Sequence, residues 1–204
     1  MNILQIGCNE ANDKVSELLK FYKQESPKVL LVDASSSALD LAKEFYKDFN
    51  NIKFQHVAVV DTDEKEVDLF YPVDVPNNVH CSLLEQHVKT HKKIEGEISN
   101  KPPMEVKKER VSALRISTLL DYFDGEPIDR LYVDVEGLDC QIINDINLDK
   151  YKIGYIRFEH SHSEGTFKTN GPTLKKTVQR LSEFNYSIIV DQKCPEDLVA
   201  IKMI

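Results

Sequence analysis

Two short polar clusters carry the residue types that acid–base or metal chemistry needs. The first is Asp134-Val135-Glu136-Gly137, which follows an apolar run in the stretch LYVDVEG. Side chains alternate along an extended segment, so Asp134 and Glu136 point to the same side. Two carboxylates this close raise one another's pKa, so that one could act as a base or both could hold a cation. A structural role is equally open, in which either acid caps the next helix and Gly137 permits the turn.

The second cluster, EHSH, runs from Glu159 to His162 and ends the apolar stretch YIRF. Carboxylate and imidazole together indicate a base, or a site for manganese or iron rather than magnesium. A loop whose histidines make ordinary hydrogen bonds is the competing interpretation. His87 and His91 lie one helical turn apart, the spacing of a metal-binding pair, but the protease pattern is absent and a solvated helix face is favoured. No residue is therefore assigned to a metal.

A third signal lies at the start of the chain, where ILQIGCNEAND is followed about twenty residues later by VLLVDAS. An apolar strand, a glycine turn, a helix and a second strand that ends in an acid form the βαβ unit that binds an adenosine. Gly7 lets the backbone approach the ligand, and Asp33 can accept hydrogen bonds from both ribose hydroxyls. The turn is poor in glycine, and Glu10 would repel a diphosphate but not a cationic sulfonium.

Alternating strand-like and helix-like segments must position these residues. The periodicity predicts helices over 13–24, 115–123, 138–146 and 173–184, strands over 52–60, 130–135 and 154–159, and two closing strands over 186–190 and 198–203. Such alternation predicts a mainly parallel sheet with helices on both faces, whose ligands bind at the carboxyl ends of the strands. The residues that end strands are mostly polar or acidic and locate one cleft: Gly7 with Asn9 and Glu10, Asp33, Ala58, Asp134 with Glu136 and Gly137, and Glu159 with His160 and His162.

Length, composition and net charge limit the class of protein. A chain of 204 residues, with 41% hydrophobic and 29% charged residues, suits a single α/β domain over 1–204. Residues 72–110 are rich in proline and poor in apolar periodicity, which predicts an insertion or lid. The net charge of −8 argues against a nucleic-acid binder, and no apolar stretch approaches a membrane span. Four dispersed cysteines without a CxxC indicate reduced thiols and a cytoplasmic protein.

In this order and at these intervals, the stretches ILQIGCNEAND, VLLVDAS, LYVDVEG and IRFEHSH resemble the FkbM family of S-adenosylmethionine-dependent methyltransferases. The resemblance covers residues 3 to 162, and DVEG with its preceding strand is the most specific part. It implies a Rossmann-like class I methyltransferase fold, with a seven-stranded sheet whose last strand is antiparallel. It also implies S-adenosyl-L-methionine as the cofactor.

The resemblance also implies roles for particular residues. Gly7 matches the family's turn glycine, Gln5 the polar residue before it, and Asp33 the acid that holds the ribose. Ala11 stands where a second glycine is usual, so a Cβ there crowds the methionine end of the cofactor. The expected cofactor-binding residues are Gln5, Gly7, Asn9, Asp33, Ala58 and Asp134.

The acceptor side of the implied site lies in the two later motifs. Asp134, Glu136 and Gly137 match the family's acid-x-glutamate-glycine, and Glu159 with His160 matches its later acid–histidine pair. The expected reaction is methyl transfer to an oxygen of a small molecule or a glycan. His160 is the expected base because the ordinary pKa of histidine lies nearest neutrality, with Asp134, Glu136 and Glu159 as the other catalytic candidates.

Two other functions remain open at this point. The sparse glycines are compatible with a domain that binds a cofactor or a partner without catalysis. A nicotinamide-dependent oxidoreductase shares the βαβ start, but its pyrophosphate needs a glycine-lined helix N-terminus that this turn does not offer. Binding of S-adenosylhomocysteine (SAH), S-adenosylmethionine or NAD would separate the three.

Overall fold

A computed structural model of the chain describes residues 1–9, 14–22, 27–73, 80–99, 105–162 and 171–203. The strands are β1 (Asn2–Ile6), β2 (Lys28–Asp33), β3 (Ile52–His56), β4 (Ala58–Val60), β5 (Glu66–Pro72), β6 (Val106–Arg115), β7 (Arg130–Val133), β8 (Tyr155–Glu159), β9 (Tyr186–Val190) and β10 (Asp197–Lys202). The helices are α1 (Lys14–Phe21), α2 (Ser36–Phe45), α3 (Glu85–Ser99), α4 (Ile116–Leu120), α5 (Asp139–Asp145) and α6 (Pro172–Glu183).

A seven-stranded sheet in the order β3-β2-β1-β7-β8-β10-β9 forms the centre of the fold. Strand β1 lies parallel to β2 on one side and to β7 on the other, and its last residue, Ile6, is level with Val32 and Val133. Strand β10 is antiparallel to both β8 and β9. The predicted mainly parallel sheet with an antiparallel last strand is thereby confirmed.

The core lies on both faces of this sheet because side chains alternate along the buried strands. On β1, Ile3 belongs to one apolar cluster, whereas Leu4 and Ile6 belong to the other. All three side chains are at most 1% exposed. Burying a side chain of this size stabilises the fold by roughly 1.5–3 kcal/mol, so the strand order is fixed chiefly by apolar burial.

The strand predicted over 52–60 is two strands that belong to different sheets. Strand β3 pairs with β2, while β4 pairs with β6 in a second sheet of order β4-β6-β5. The chain changes sheet at Val57, whose N–H donates to the carbonyl of Asp33 at 3.0 Å. The division was invisible in the sequence because residues 57–60 are all apolar and buried.

The segment 72–110 contains regular elements, although its sequence predicts few. It holds α3 and half of β6, and β6 pairs with β5 from Glu66↔Ser112 to Pro72↔Val106. Its charged residues hide the strand pattern, because one face of β6 is exposed to solvent. A role of this segment as a lid stays a prediction.

The ends and the lengths of the helices also bear on the predictions. Ser35 caps the N-terminus of α2, since its Oγ accepts a hydrogen bond from the N–H of Ala38 at 3.3 Å. The helix expected from residue 115 begins one residue later, because Arg115 still belongs to β6. Among the described residues, the helices all fall short of the length and apolarity that crossing a membrane requires.

Candidate active site

The turn after β1 is built around a glycine that no other residue could replace without displacing backbone. Gly7 has φ of +76°, and a Cβ on it would lie 1.6 Å from the carbonyl oxygen of Asp134. Its N–H donates to Val32 at 2.9 Å, and the N–H of Asp134 donates to Ile6 at 3.0 Å. The ends of β1, β2 and β7 are therefore held together around this turn.

Asp33 fixes the same turn from the end of β2. Its Oδ2 accepts from the N–H of Asn9 at 3.0 Å and its Oδ1 from the N–H of Ser35 at 2.8 Å. Burial raises the pKa of the Asp33 carboxyl, although these backbone hydrogen bonds act in the opposite direction. A carboxylate oxygen has two lone pairs, so both oxygens can still accept a hydroxyl of a bound sugar.

These residues open onto a cavity of about 760 Å³, a volume that includes its mouth to solvent. Gly7, Asn9 and Asp33 line one side, and Asp134 and Glu136 line another. A glycine turn and a strand-ending acid beside this cavity are the features that the sequence predicts for S-adenosylmethionine binding.

The turn after β7 presents its two acids to the cavity because a third acid holds the backbone. Asp139, at the start of α5, accepts from the N–H of Val135 at 3.3 Å and of Gly137 at 3.2 Å. Sequence reasoning missed Asp139, and the predicted capping of α5 by Asp134 or Glu136 is wrong, because its N-cap residue is Leu138 and no side chain caps it. Asp139 thus holds the backbone of this turn, and Asp134 and Glu136 line the cavity.

Glu136 adopts a left-handed backbone conformation, with φ of +57°. Such a conformation costs a non-glycine residue about 1 kcal/mol and persists where surrounding contacts impose it. One such contact is Ser82, whose Oγ donates to the carbonyl of Glu136 at 2.8 Å. These contacts hold the backbone of Glu136 in this conformation and thereby fix the direction of its carboxylate.

Burial, together with the proximity of other acids, raises two pKa values at this edge of the sheet. The pKa of Asp134 is raised well above its ordinary value by desolvation in the recess, and further by the charges of Asp139, Glu159 and Glu136. Asp134 nevertheless exposes its surface to the cavity, so a ligand can reach it. Burial, with the charge of Glu159, raises the pKa of Asp139 to about 7.

Three histidines surround the carboxylate of Glu136. Nε2 of His87 lies 3.0 Å from Oε2, Nδ1 of His162 lies 3.3 Å from Oε2, and Nδ1 of His80 lies 3.7 Å from Oε1. The ring of His91 stacks on His80 with centroids 4.0 Å apart. We call His80, His87, His91 and His162 the histidine cluster.

The charges in this cluster reinforce one another. Burial raises the pKa of Glu136, but hydrogen bonds from His162, His80 and His87 outweigh it and hold the pKa well below its ordinary value. Burial lowers the pKa of His162, yet Glu136 and Glu159 together raise it to about 10. A cationic charge is therefore stabilised beside Glu136.

The structure does not bring His160, the expected base, to the cavity. Alternation past the end of β8 turns its ring away from Glu159, and Nε2 of His160 lies 3.1 Å from the carbonyl oxygen of Pro195. His162 contacts Glu159 instead: its Nδ1 lies 2.9 Å from Oε1 of Glu159. Glu159 itself is buried, as a strand-ending residue that faces the cluster.

Of the six residues expected to bind the cofactor, five line the cavity and one does not. Gly7, Asn9, Asp33, Ala58 and Asp134 all line the cavity. Gln5 is buried and does not line it, because alternation along β1 points its side chain toward the same face as Ile3. Glu10 and Ala11 lie outside the described residues.

The predicted solvated helix face is wrong for His87, whose side chain is fully buried. The first turn of α3 lies over the turn after β7, so His87 is covered while His91 is half-buried. The signal that could have found this pair is the density of histidine, because His80, His87 and His91 fall within twelve residues of one another. Sequence periodicity gave no sign that they would meet Glu136.

Comparisons with known proteins place this geometry in a wider group. The family model for the methyltransferase FkbM domain matches residues 6–188. No curated protein matches the chain significantly. A crystal structure of the methyltransferase FkbM from Methylobacillus flagellatus KT superposes with a TM-score of 0.56 at 12% identity. It is aligned over 98% of this chain, which spans only 43% of the length of that protein.

A second similar structure is that of the SAH-bound methyltransferase PaMTH1 from Podospora anserina. Its TM-score is 0.50 at 12% identity, over 100% of this chain and 72% of that one. At these identities the two likenesses concern the fold.

Proposed function

The chain belongs to the methyltransferase FkbM domain family, a class of enzyme that uses S-adenosylmethionine, and we propose that it methylates an oxygen of a small molecule or a glycan. Membership in this family argues against the two alternatives, a domain without catalysis and a nicotinamide-dependent oxidoreductase. The acceptor and the atom that receives the methyl group are the subject of the proposal.

The observation that carries the proposal is the single cavity shared by two sets of residues. Gly7, Asn9 and Asp33 line it from the ends of β1 and β2, whereas Asp134 and Glu136 line it from the end of β7. Donor and acceptor must be held in contact, because positioning supplies much of the rate enhancement of a two-substrate reaction. The bound cofactor would supply a methyl group that its positive sulfonium makes electrophilic.

The residues on the cofactor side bind and orient. Asp33 accepts hydrogen bonds from the ribose hydroxyls, Gly7 permits close approach of the backbone, and Ala58 lies on the cavity wall. Negative carboxylates nearby favour a cationic ligand over an anionic one.

The residues on the acceptor side handle a proton. An alcohol that is methylated must lose its hydroxyl proton, and Asp134 is exposed to the cavity with a raised pKa, which makes its carboxylate a stronger base than an ordinary aspartate. Glu136, His80 and Ser82 also line this side, and their hydrogen-bonding groups match the hydroxyls of a sugar-like acceptor. We therefore propose Asp134 as the base in place of His160.

Binding of SAH by isothermal titration calorimetry tests the cofactor half. Asp33→Asn should weaken SAH binding by at least about tenfold, or about 1.4 kcal/mol, because its amide offers one accepting oxygen and opposes one of the N–H groups of Asn9 and Ser35. Asp40→Asn, on the exposed face of α2, is the matched control and should bind SAH like the wild type. Equal affinity in both variants would remove Asp33 from the site.

Product analysis tests the acceptor half. The protein is incubated with S-adenosylmethionine and a panel of hydroxylated acceptors, including monosaccharides and phenols, and the products are located by mass-spectrometric fragmentation. A methyl ether supports the proposal. Methylation of carbon or nitrogen alone overturns it.

A further inference from the structure

We propose that His87, Glu136 and His162 bind one divalent transition-metal ion of the zinc type beside the cavity. One ligand atom from each residue lies within 4.8 Å of the other two. Two imidazoles and one carboxylate are a common protein ligand set for zinc and for non-haem iron, with coordination positions left for other groups.

The distances between donor atoms fit such an ion. Bonds of about 2.0–2.2 Å from zinc to nitrogen or oxygen place tetrahedral neighbours about 3.3 Å apart. Nε2 of His87 and Nδ1 of His162 lie 3.0 Å and 3.3 Å from the same oxygen of Glu136. Small shifts of side chains would therefore complete the ligand set, and no change of backbone is needed.

A buried carboxylate beside the three ligands strengthens the inference. Oε1 of Glu159 lies 2.9 Å from Nδ1 of His162, and Glu159 is 7% exposed. Its other oxygen, Oε2, is buried and has no hydrogen-bond partner among the residues that the structure describes. A buried carboxylate oxygen without a partner is costly, and a nearby cation would satisfy it.

The excess of negative charge at this edge of the sheet also favours a bound cation. Asp134, Glu136, Asp139 and Glu159 crowd together, and within the described ranges no lysine or arginine forms an ion pair with any of them. Histidines are the only cationic groups paired with these acids there. A divalent ion on neutral imidazoles would replace their protons and supply the missing positive charge.

The backbone of the site is held as a metal centre requires. Ser82 and Asp139 fix the turn that carries Glu136, and the strained φ of Glu136 aims its carboxylate at the histidines. Mutation of the groups that hydrogen-bond to metal ligands and orient them commonly weakens metal binding by about 10–100-fold. Since Glu136 also lines the cavity, an oxygen of the acceptor is the chemical group suited to complete the coordination; this last step alone rests on the proposed function.

Metal uptake by the whole protein tests the proposal without any assay of activity. The chain is treated with EDTA, dialysed, and titrated with Zn²⁺ by calorimetry, with the bound metal counted by mass spectrometry. We expect one Zn²⁺ per chain, and an intense visible spectrum with Co²⁺ that indicates four- or five-coordination. Mg²⁺ should not compete, because imidazole ligands favour the softer ions.

Variants identify the ligands. Glu136→Gln and His162→Gln, both at partly exposed side chains, should each weaken Zn²⁺ binding by at least about tenfold. His160→Gln in the same loop is the control and should keep one ion per chain. Far-UV circular dichroism and a melting curve establish that each variant is folded.

Two outcomes overturn the metal site: no uptake by the wild type, or unchanged uptake in Glu136→Gln and His162→Gln. SAH titration of the metal-free protein keeps this result apart from the proposed function. SAH binding without metal uptake refutes the metal site alone, whereas metal uptake without SAH binding refutes the methyltransferase mechanism alone.

Discussion

Single residues set the shape of the cavity, and Gly7 does so most strictly. We expect Gly7→Ala to lower the free energy of unfolding by at least about 3 kcal/mol, because the new methyl group meets the backbone of Asp134 in a conformation already unfavourable for alanine. Urea denaturation measures the loss. Gly125→Ala is a matched control: Gly125 has φ of +80° with open space around it, so it should lose only about 1 kcal/mol. Equal losses would show that the contact with Asp134 is unimportant.

At this scale the sequence indicated half of the residues that form the candidate site. Gly7, Asp33, Asp134 and Glu136 were predicted because strand ends are legible in the alternation of apolar and polar residues. The partners of Glu136 were not, since His80 and His87 approach it through packing between distant segments. His160 was misplaced because the direction of a side chain after a strand depends on where that strand ends.

At the scale of elements, the buried Arg157 joins β8 to the antiparallel end of the sheet. Its Nε lies 2.6 Å from Asp197 Oδ2, and its terminal nitrogen lies 3.1 Å from Asp191. Arg157→Ala would leave two acids facing each other and should lower the free energy of unfolding by about 3–5 kcal/mol, as measured in urea.

An exposed ion pair on α2 is the control for that prediction. Lys43 and Asp40 are 2.8 Å apart, with more than half of each side chain exposed. Lys43→Ala should therefore change the free energy of unfolding by less than about 1 kcal/mol. An equal decrease in the free energy of unfolding of Arg157→Ala and Lys43→Ala would show that the burial of Arg157 does not strengthen its ion pairs.

Helices and strands were predictable where one face, or the whole element, is buried. The central strands and α6 match their predicted ranges to within a residue or two, because their apolar periodicity is strong. Strand β6 escaped prediction because residues 107–110, in its N-terminal half, are all charged and show no alternation with apolar residues. The second sheet could be recognised only from the pairing of β6 with both β4 and β5.

The whole molecule should lose stability as pH rises through the titration of Asp139. The pKa of Asp139 is about 7 in the folded chain against an ordinary value of 3.8. Between these values the folded state keeps a proton that the unfolded state has released. The free energy of unfolding should therefore fall with rising pH, by at most about 1.4 kcal/mol per unit.

Asp139→Asn tests this origin, because asparagine does not titrate and resembles the protonated acid. Chemical denaturation from pH 4 to pH 8 should show a shallower decline for Asp139→Asn than for the wild type. Asp40→Asn should follow the wild type. Parallel curves for all three proteins would assign the decline to other groups.

The position of β1 between β2 and β7 has a consequence for the order of events during folding. The N–H of Asn2 donates to the side chain of Asp129, across 127 residues of sequence. Contacts between such distant segments are slow to form, because a long loop must close first. The cavity walls meet only after β7 has paired with β1, so a partly synthesised chain that lacks β7 has no cavity. A bound small molecule should therefore slow unfolding while leaving the rate of folding almost unchanged.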